Sequence, residues 1–139
     1  MDKAEADYVT NQQITSLSVQ RLREHPASLS EALHATAMPL LHVHCDLDVL
    51  DPEEFPHVSV HAAGGLSVCE LAQTLRHVSK GHAGRMAGFT MTEFRPRGSP
   101  DDKEAAVKVI DHLLGPEGID LKQSMMSYSH NCDSGSVIA

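Results

Sequence analysis

Aromatic residues are scarce in this sequence of 139 residues, which has no tryptophan, two tyrosines and three phenylalanines. A core built from it must consist mainly of aliphatic side chains, and the length suits one compact domain. Basic residues are also few: 11 lysines and arginines stand against 19 aspartates and glutamates, for a formal net charge of −8. Nucleic acids and anionic membrane surfaces bind basic patches. We therefore expect neither of them as a partner.

Long hydrophobic runs and paired cysteines are missing as well. No apolar run approaches the roughly 20 residues of a membrane-spanning helix, and no signal peptide opens the sequence. The three cysteines, Cys45, Cys69 and Cys132, are an odd number without a paired spacing. We expect reduced thiols in a cytoplasmic protein, with Cys45 packed in the core.

Histidine is the residue type that is unusually frequent, with ten in the chain. The histidines are scattered, and those from His57 onward form no helical pair of the metalloprotease type. We expect His57 and the later histidines to lie at the surface or to support other residues. His42 and His44 belong to a different pattern, described below.

The chain divides into three parts. Residues 1–38 predict an N-terminal region with a frayed start, an edge strand at 12–18 and short helices at 19–26 and 28–37. Residues 39–115 predict a core segment of alternating strands and helices. Residues 116–139 lack periodicity, and we expect a poorly structured C-terminal tail.

Three sequence signals predict where helices begin. Ser28 with Glu31 and Ser67 with Glu70 have the spacing of a capping box. The second of these opens a helix that runs to Gly81. Ser99 precedes Pro100 and two aspartates, which places a capping hydroxyl, a proline and negative charges where a helix N-terminus favours them.

The core segment has two predicted strands, at 38–50 and 85–94, in the order strand, helix, strand, helix. This order predicts an α/β fold with a parallel sheet, whose ligands gather at the carboxyl ends of the strands. Because side chains two apart on a strand share a face, we expect Asp46 and Asp48 to point the same way as His42 and His44. Glu93 ends the second strand, so all three carboxylates should meet at one edge.

Neighbouring carboxylates repel one another unless a cation neutralises them. Oxygen ligands of this kind suit Mg²⁺ or Mn²⁺. From the residues alone, the alternative that both aspartates are solvated or cap the following loop stays open. An EF-hand calcium loop does not fit, because Leu50 and Asp51 occupy its ligand and glycine positions.

A phosphatase of the haloacid dehalogenase type is a further alternative, because an apolar strand running into Asp-Leu-Asp matches its nucleophile motif. Its first aspartate would attack phosphorus and its second would act as acid and base. Val49 stands where that family usually has glycine, and the motif lies some way into the chain instead of near its start.

The residues that follow the aspartates resemble a different family. The segment DLDVLDPEEFPHVSVHAAGGLS, a helix, and then GFTMTEFRP are similar to the superfamily of arginase, agmatinase and formimidoylglutamase. Its members carry a strand ending S-x-D-x-D-x-x-D-P, a proline-containing loop, a G-G-L-(S/T) helix start with a glutamate three residues on, and a strand ending in a (V/M)-x-E-x-N-P-like motif. The similarity covers roughly residues 39–115 and implies the C-terminal part of a three-layer α/β/α parallel-sheet fold.

This resemblance implies a role for each matching residue. Asp46 corresponds to the carboxylate that bridges two manganese ions, Asp48 to a ligand of one ion, and Glu93 to the glutamate that holds the guanidinium or amidine group of the substrate. His44 replaces the usual serine and is expected either to support Asp46 or simply to pack. Asp51 is expected to serve the turn, with a supporting role toward the metal ligands as the alternative. Arg95-Pro96 replaces Asn-Pro, which leaves the hydrogen bonding around Glu93 open.

The resemblance covers only the second half of these enzymes. Their remaining ligands lie on a G-G-D-H-like segment and a D-A-H-x-D strand end, and this sequence has neither. We therefore expect a truncated or split binuclear Mn²⁺ hydrolase of C–N bonds in linear amidines and guanidines, with a small guanidino or amidino substrate, inactive alone. We also expect a homo-oligomer or association with a chain that carries the missing half. The alternative is a non-catalytic remnant that acts as an interaction or regulatory subunit.

Overall fold

The computed structural model describes residues 3–36, 40–81 and 86–119. Within these ranges the chain forms five helices and two strands. They are α1 (Lys3–Asn11), α2 (Val19–Glu24), α3 (Ser28–Ala35), β1 (Leu41–Asp46), α4 (Val68–Gly81), β2 (Met86–Thr92) and α5 (Pro100–Leu114). Most of the predicted C-terminal tail, from residue 120 on, lies outside the described residues.

The two strands form the predicted parallel pair, which confirms the α/β class. β1 and β2 pair from Leu41 with Met86 to Asp46 with Thr92. His42 and His44 are exposed on one face of β1, whereas Cys45 on the other face is buried. Burial, together with the negative charge of Asp46, raises the pKa of the Cys45 thiol to about 11. This is the core thiol that the sequence predicted.

The strand is shorter than predicted, and this corrects the expected placement of Asp48. β1 stops at Asp46, and Leu47–Val49 form a turn of 3₁₀-helix in which the Leu50 N–H donates to the Leu47 carbonyl (3.1 Å). Residues three apart eclipse in such a turn. Leu47 and Leu50, exposed by 0% and 1%, therefore both enter the core. Asp48 lies on the turn and does not share a strand face with Asp46.

The core lies between the sheet and the helices. α4 contributes an aliphatic stripe with helical spacing (Leu71, Ala72, Leu75 and Val78). It packs against α3 on one side and α5 on the other. The buried cluster also includes Cys45, Leu47, Leu50, Phe55, Val58, Leu66, Ala106, Leu113 and Ile119. As expected from the composition, it is mainly aliphatic, with Phe55 as its aromatic member.

Two of the three predicted helix starts form as expected. Ser67 and Glu70 exchange hydrogen bonds, from the Ser67 N–H to the Glu70 carboxylate (2.7 Å) and from the Glu70 N–H to Ser67 Oγ (3.1 Å). Ser99 caps α5 in the same reciprocal way with Asp102. Both helices therefore begin where the sequence placed them.

The capping box predicted at Ser28 and Glu31 is wrong. Ala27 is the N-cap of α3 and makes no side-chain cap. Ser28 Oγ is buried and has no hydrogen-bond partner among the described residues, and Glu31 pairs instead with His25 (2.9 Å). The helix begins one residue earlier than the pattern requires, directly after Pro26-Ala27, so the serine falls inside it.

The N-terminal region differs from the prediction in two ways. Residues 3–11, expected to be frayed, form α1, although no residue of this helix is buried. Residues 12–18, expected to form an edge strand, contain no strand. Gln13 adopts a left-handed backbone (φ 54°) that interrupts extended structure. Ser18 caps α2 by accepting from the Arg21 N–H, which uses the end of this segment for a helix start.

A long loop joins β1 to α4 and returns beside the strand end. Leu66 donates to the Val49 carbonyl (2.8 Å), and Asp51 donates to the Leu66 carbonyl (2.8 Å). Gly65 makes this approach possible, because a Cβ atom there would lie 2.6 Å from Val49 O and from Leu50 C. In the ranges that the structure describes, no helix combines the length and hydropathy needed to cross a bilayer.

Candidate functional site

The predicted site residues lie at the carboxyl ends of the two parallel strands. Asp46 is the last residue of β1 and pairs in register with Thr92, the last residue of β2. Glu93 follows Thr92 directly, and Asp48 lies two residues beyond Asp46 on the 3₁₀ turn. The structure therefore brings Asp46, Asp48 and Glu93 to one edge, although Asp48 reaches it from a turn.

The raised pKa of Asp48 shows that these carboxylates interact electrostatically. Burial raises the pKa of the Asp48 carboxyl above its usual value, and the negative charges of Asp46 and Glu93 raise this pKa further. Among the described residues, no hydrogen bond or ion pair reaches the carboxylate of Asp48 or Glu93. The edge is thus a concentration of negative charge that lacks an internal counterion.

Asp46 is held by a hydrogen-bonded chain across the sheet. The Thr92 hydroxyl donates to Asp46 Oδ1 (3.0 Å) and also contacts His44 Nε2 (3.2 Å). Because the single hydroxyl proton goes to Asp46, the His44 ring nitrogen must be the donor to Thr92. His44 therefore supports Asp46 through Thr92. One pair earlier along the strands, His42 Nε2 lies 2.9 Å from the Thr90 hydroxyl.

Sequence reasoning did not identify Thr92. Its side chain gains significance only from the parallel register, which puts it opposite Asp46. The available signal was its position next to Glu93 in a Thr-Met-Thr-Glu strand end, where threonines two apart must face the histidines of β1.

Asp51 lies in the turn after the strand end. Its carboxylate accepts from the Glu53 N–H (2.9 Å), and its carbonyl accepts from the N–H groups of Glu54 (3.1 Å) and Phe55 (2.9 Å). The residue closes the first turn of the loop, which agrees with the main expectation for it. A supporting role toward the metal ligands stays a prediction.

Glu93 has an unusual backbone conformation. Its φ is 61°, in the left-handed region that a residue with a side chain rarely adopts. The following residues are tied to the long loop, because the Arg95 N–H donates to the His57 carbonyl (2.7 Å) and Phe94 stacks on Phe55 (6.3 Å between centroids). Arg95 stands where the family usually has asparagine. Its backbone hydrogen bond to His57 holds this segment without involving the arginine side chain.

The described residues do not fit a complete binuclear metal centre. No group of three or more histidine, cysteine, aspartate or glutamate residues in residues 3–36, 40–81 and 86–119 has a geometry that could hold a metal ion. Asp46 and Asp48 offer two carboxylates of the type that Mn²⁺ accepts, but most coordination positions would remain for water. A tightly held pair of ions needs ligands from elsewhere.

Comparison with known proteins adds a family and a fold. The sequence model that describes the Arginase family matches residues 1–115 of the chain. No curated protein matches the sequence. Among solved structures, Helicobacter pylori arginase superposes with a TM-score of 0.71 at 22% identity, covering 85% of this chain and 41% of that protein.

Two further structures extend this similarity to enzymes with other names. Formimidoylglutamase from Bacillus subtilis superposes with a TM-score of 0.72 at 20% identity, over 89% of this chain and 39% of the enzyme. Proclavaminate amidino hydrolase from Streptomyces clavuligerus gives 0.60 at 21% identity, over 81% and 39%. The chain shares its fold with about two fifths of the length of each of these proteins.

Proposed function

Because the chain belongs to the arginase family, we propose that it contributes part of the active site of a hydrolase that cleaves C–N bonds in linear amidines or guanidines. The names of the similar structures support this substrate class, since arginase, formimidoylglutamase and proclavaminate amidino hydrolase are enzymes of amidino or related groups. We further propose Asp46 and Asp48 as ligands of Mn²⁺ and Glu93 as the anion that binds the cationic end of the substrate.

The observation that carries this proposal is the convergence of the three carboxylates, with no counterion bound to Asp48 or Glu93 among the residues that the structure describes. Burial and the repulsion from Asp46 and Glu93 raise the pKa of Asp48, so both weaken its charged state. Such an arrangement is stabilised by an added cation. A metal ion near the aspartates and a guanidinium near Glu93 would each supply one.

The proposed roles follow from the local chemistry. Thr92 holds Asp46 Oδ1, which leaves the second carboxylate oxygen available to a metal ion. Glu93 is exposed, and its carboxylate suits a planar cation with several N–H donors. The chemistry that manganese supplies in a complete site of this kind is the activation of water near neutral pH.

We propose that the missing ligands come from outside the described residues, on this or another chain. β1 pairs with β2 along one edge, and no described strand covers its other edge. A largely apolar groove of about 410 Å³ follows that free edge, bordered by side chains of α2, α3 and α4. An additional strand placed there would extend the sheet and bring its own carboxyl end beside Asp46.

Calorimetric titration of the purified 139-residue chain with Mn²⁺ tests the metal proposal. We expect weak binding that is lost in Asp46→Asn and kept in Asp51→Asn. Asp51→Asn removes the same negative charge five residues away, and its amide oxygen can still accept from the Glu53 N–H in the turn. Equal binding by wild type and Asp46→Asn would contradict the assignment.

Activity assays test the need for outside ligands. We expect no hydrolysis of arginine, agmatine or formimidoylglutamate by this chain with Mn²⁺, and hydrolysis after addition of a polypeptide that carries the G-G-D-H and D-A-H-x-D segments. Urea release from arginine by the chain alone at ordinary enzyme rates would contradict this expectation.

A non-catalytic interaction subunit is the second candidate, favoured by the lack of a three-residue metal group in the described ranges. The two candidates differ in one measurement: a remnant would bind the complementary polypeptide without gaining Mn²⁺ affinity or activity. The matched family gives no comparable support to a haloacid dehalogenase-type phosphatase.

A further inference from the structure

We infer that His57 is a positioning residue that holds Glu93 in place for the cationic substrate group. This inference rests on the proposed role of Glu93. It concerns a histidine that neither the sequence motifs nor the carboxylate cluster identifies, 36 residues earlier in the chain and within the long loop.

His57 accepts two hydrogen bonds from the segment after Glu93. Its carbonyl accepts from the Arg95 N–H (2.7 Å), and its ring nitrogen Nδ1 accepts from the Arg97 N–H (3.2 Å). Both donors are backbone groups two residues apart, so they fix the path of the chain and do not depend on the arginine side chains. Only the second contact depends on the chemistry of the histidine ring.

The ring itself is fixed by burial. His57 is 8% exposed, and its ring meets Phe55 edge to face, with 5.4 Å between centroids. Phe55 is 1% exposed and also stacks on Phe94, the residue next to Glu93. His57, Phe55 and Phe94 therefore form one packed unit between the loop and the strand end.

Glu93 is thus restrained from both sides. Before it, Thr92 is paired with Asp46 in the sheet, and after it the chain is anchored on His57 and Phe55. A left-handed residue with a side chain persists only where its surroundings enforce it. Removing an anchor on one side should let Glu93 relax from its φ of 61°.

The hydrogen bond from the Arg97 N–H requires His57 to have no proton on Nδ1. An acceptor at this ring position requires the tautomer with its proton on Nε2. Phenylalanine would keep an aromatic ring against Phe55 without an acceptor, whereas asparagine would keep an acceptor at the δ position without the ring. These two substitutions separate the hydrogen bond from the packing.

Solution NMR of the full 139-residue chain tests the inference. The readouts are the three-bond amide–Hα coupling of Glu93, which reports its φ, and the amide exchange rate of Arg97. In His57→Phe we expect a changed Glu93 coupling and about two- to tenfold faster Arg97 exchange, the range for loss of one hydrogen bond. In His57→Asn both should return toward wild type.

A destabilised control distinguishes positioning from general loss of stability. Val78→Ala removes methyl groups from the buried face of α4 and should leave the Glu93 coupling unchanged. A folded His57→Phe with a wild-type Glu93 coupling, or a His57→Asn variant as perturbed as His57→Phe, would overturn the inference.

The wild-type chain offers a check that does not depend on the variants folding. Ring ¹⁵N shifts of the neutral ring should show a bare Nδ1 and a proton on Nε2, and a neutral ring with its proton on Nδ1 would overturn the inference. These measurements need neither manganese nor an amidine. Failure of Mn²⁺ binding would count against the proposed function and leave this result intact.

Discussion

Asp48 is the residue whose environment most clearly conflicts with its charge. Burial and the nearby charges of Asp46 and Glu93 all raise its pKa. The folded chain therefore binds the Asp48 proton more tightly than the unfolded chain does. Stability from this group is present at low pH and is lost as the pH rises from the usual value of 3.8 through the raised folded-state value.

Replacing Asp48 with asparagine should remove this loss. We expect Asp48→Asn to raise the free energy of unfolding of the metal-free chain at neutral pH by up to about 1 kcal/mol, since the site is partly open to solvent. Well below pH 3.8 the two proteins should have equal stability. Urea unfolding at several pH values measures both quantities.

Glu53→Gln is the matched control, because it removes one negative charge from an exposed position in the following loop. It should have little effect at either pH. A loss of stability at neutral pH in Asp48→Asn would show that the Asp48 charge is neutralised within the chain.

The role of Thr92 illustrates what a sequence shows at this scale. Asp46, Asp48 and Glu93 are visible because chemically distinctive side chains stand at strand ends. Thr92 depends on a cross-strand register, and His57 on contacts with a segment about 40 residues later. The Thr-Met-Thr-Glu strand end points to Thr92 only once the register with β1 is known, and the contacts of His57 have no local pattern.

At the scale of the elements, two identical patterns have opposite outcomes. Ser67 and Glu70 form a capping box, and the Ser67 backbone N–H, assisted by Arg23, holds the pKa of Glu70 below its usual value. Arg23 also donates to the Gly65 carbonyl (2.6 Å), so the same cap ties α2 to the loop. The pattern at Ser28 instead leaves a buried hydroxyl without a partner among the described residues.

Alanine substitution should separate these two serines. We expect Ser67→Ala to lower the free energy of unfolding by about 1 kcal/mol, since it removes a helix cap. Ser28→Ala should be neutral or stabilising by up to about 1 kcal/mol, because it removes an unsatisfied polar group. Thermal and urea unfolding of both variants provide the comparison, and equal destabilisation would contradict the different environments.

The two patterns also show why helix starts are only partly predictable. The spacing of serine and glutamate was the same in both, but the preceding residues decide where the first helical turn begins. Pro26-Ala27 starts α3 early, whereas Gly65-Leu66 is fixed beside Val49 and Leu50 before α4 can begin. The difference is tertiary and could not be read from four residues.

At the scale of the whole molecule, the described part of the chain holds a parallel pair with a free edge. Two strands with helices packed beside them are a small sheet, and exposed strand edges favour association with other chains. Leu40, the residue before β1, is 55% exposed. The next residue, Leu41, borders the groove that follows the edge.

Lysine at position 40 should reduce association through the edge, as charged residues do in natural edge strands. We expect Leu40→Lys to lower self-association in sedimentation velocity, with little change in the unfolding free energy. Val107→Lys on α5 is the matched control, since Val107 is 46% exposed and no residue of α5 borders the groove. An equal effect of both variants would show that general hydrophobicity, and not the edge, drives association.

The global fold was more predictable than its details. The order of strands and helices, together with the resemblance around Asp46 and Glu93, predicted a parallel α/β fold, and the match to the Arginase family over residues 1–115 agrees with it. The helices predicted at 19–26 and 28–37 form as α2 and α3, but the residues before them were predicted poorly, because α1 buries no residue and so left no hydrophobic pattern to detect.

The left-handed backbone of Glu93 has a consequence for how this position would evolve. Glycine adopts that conformation without steric cost, so a library randomised at 93 and selected only for folding should enrich glycine, with asparagine next. Selection for amidine turnover in the completed enzyme should enrich glutamate against that trend. The opposite enrichments would separate the demands of folding from those of chemistry at a single codon.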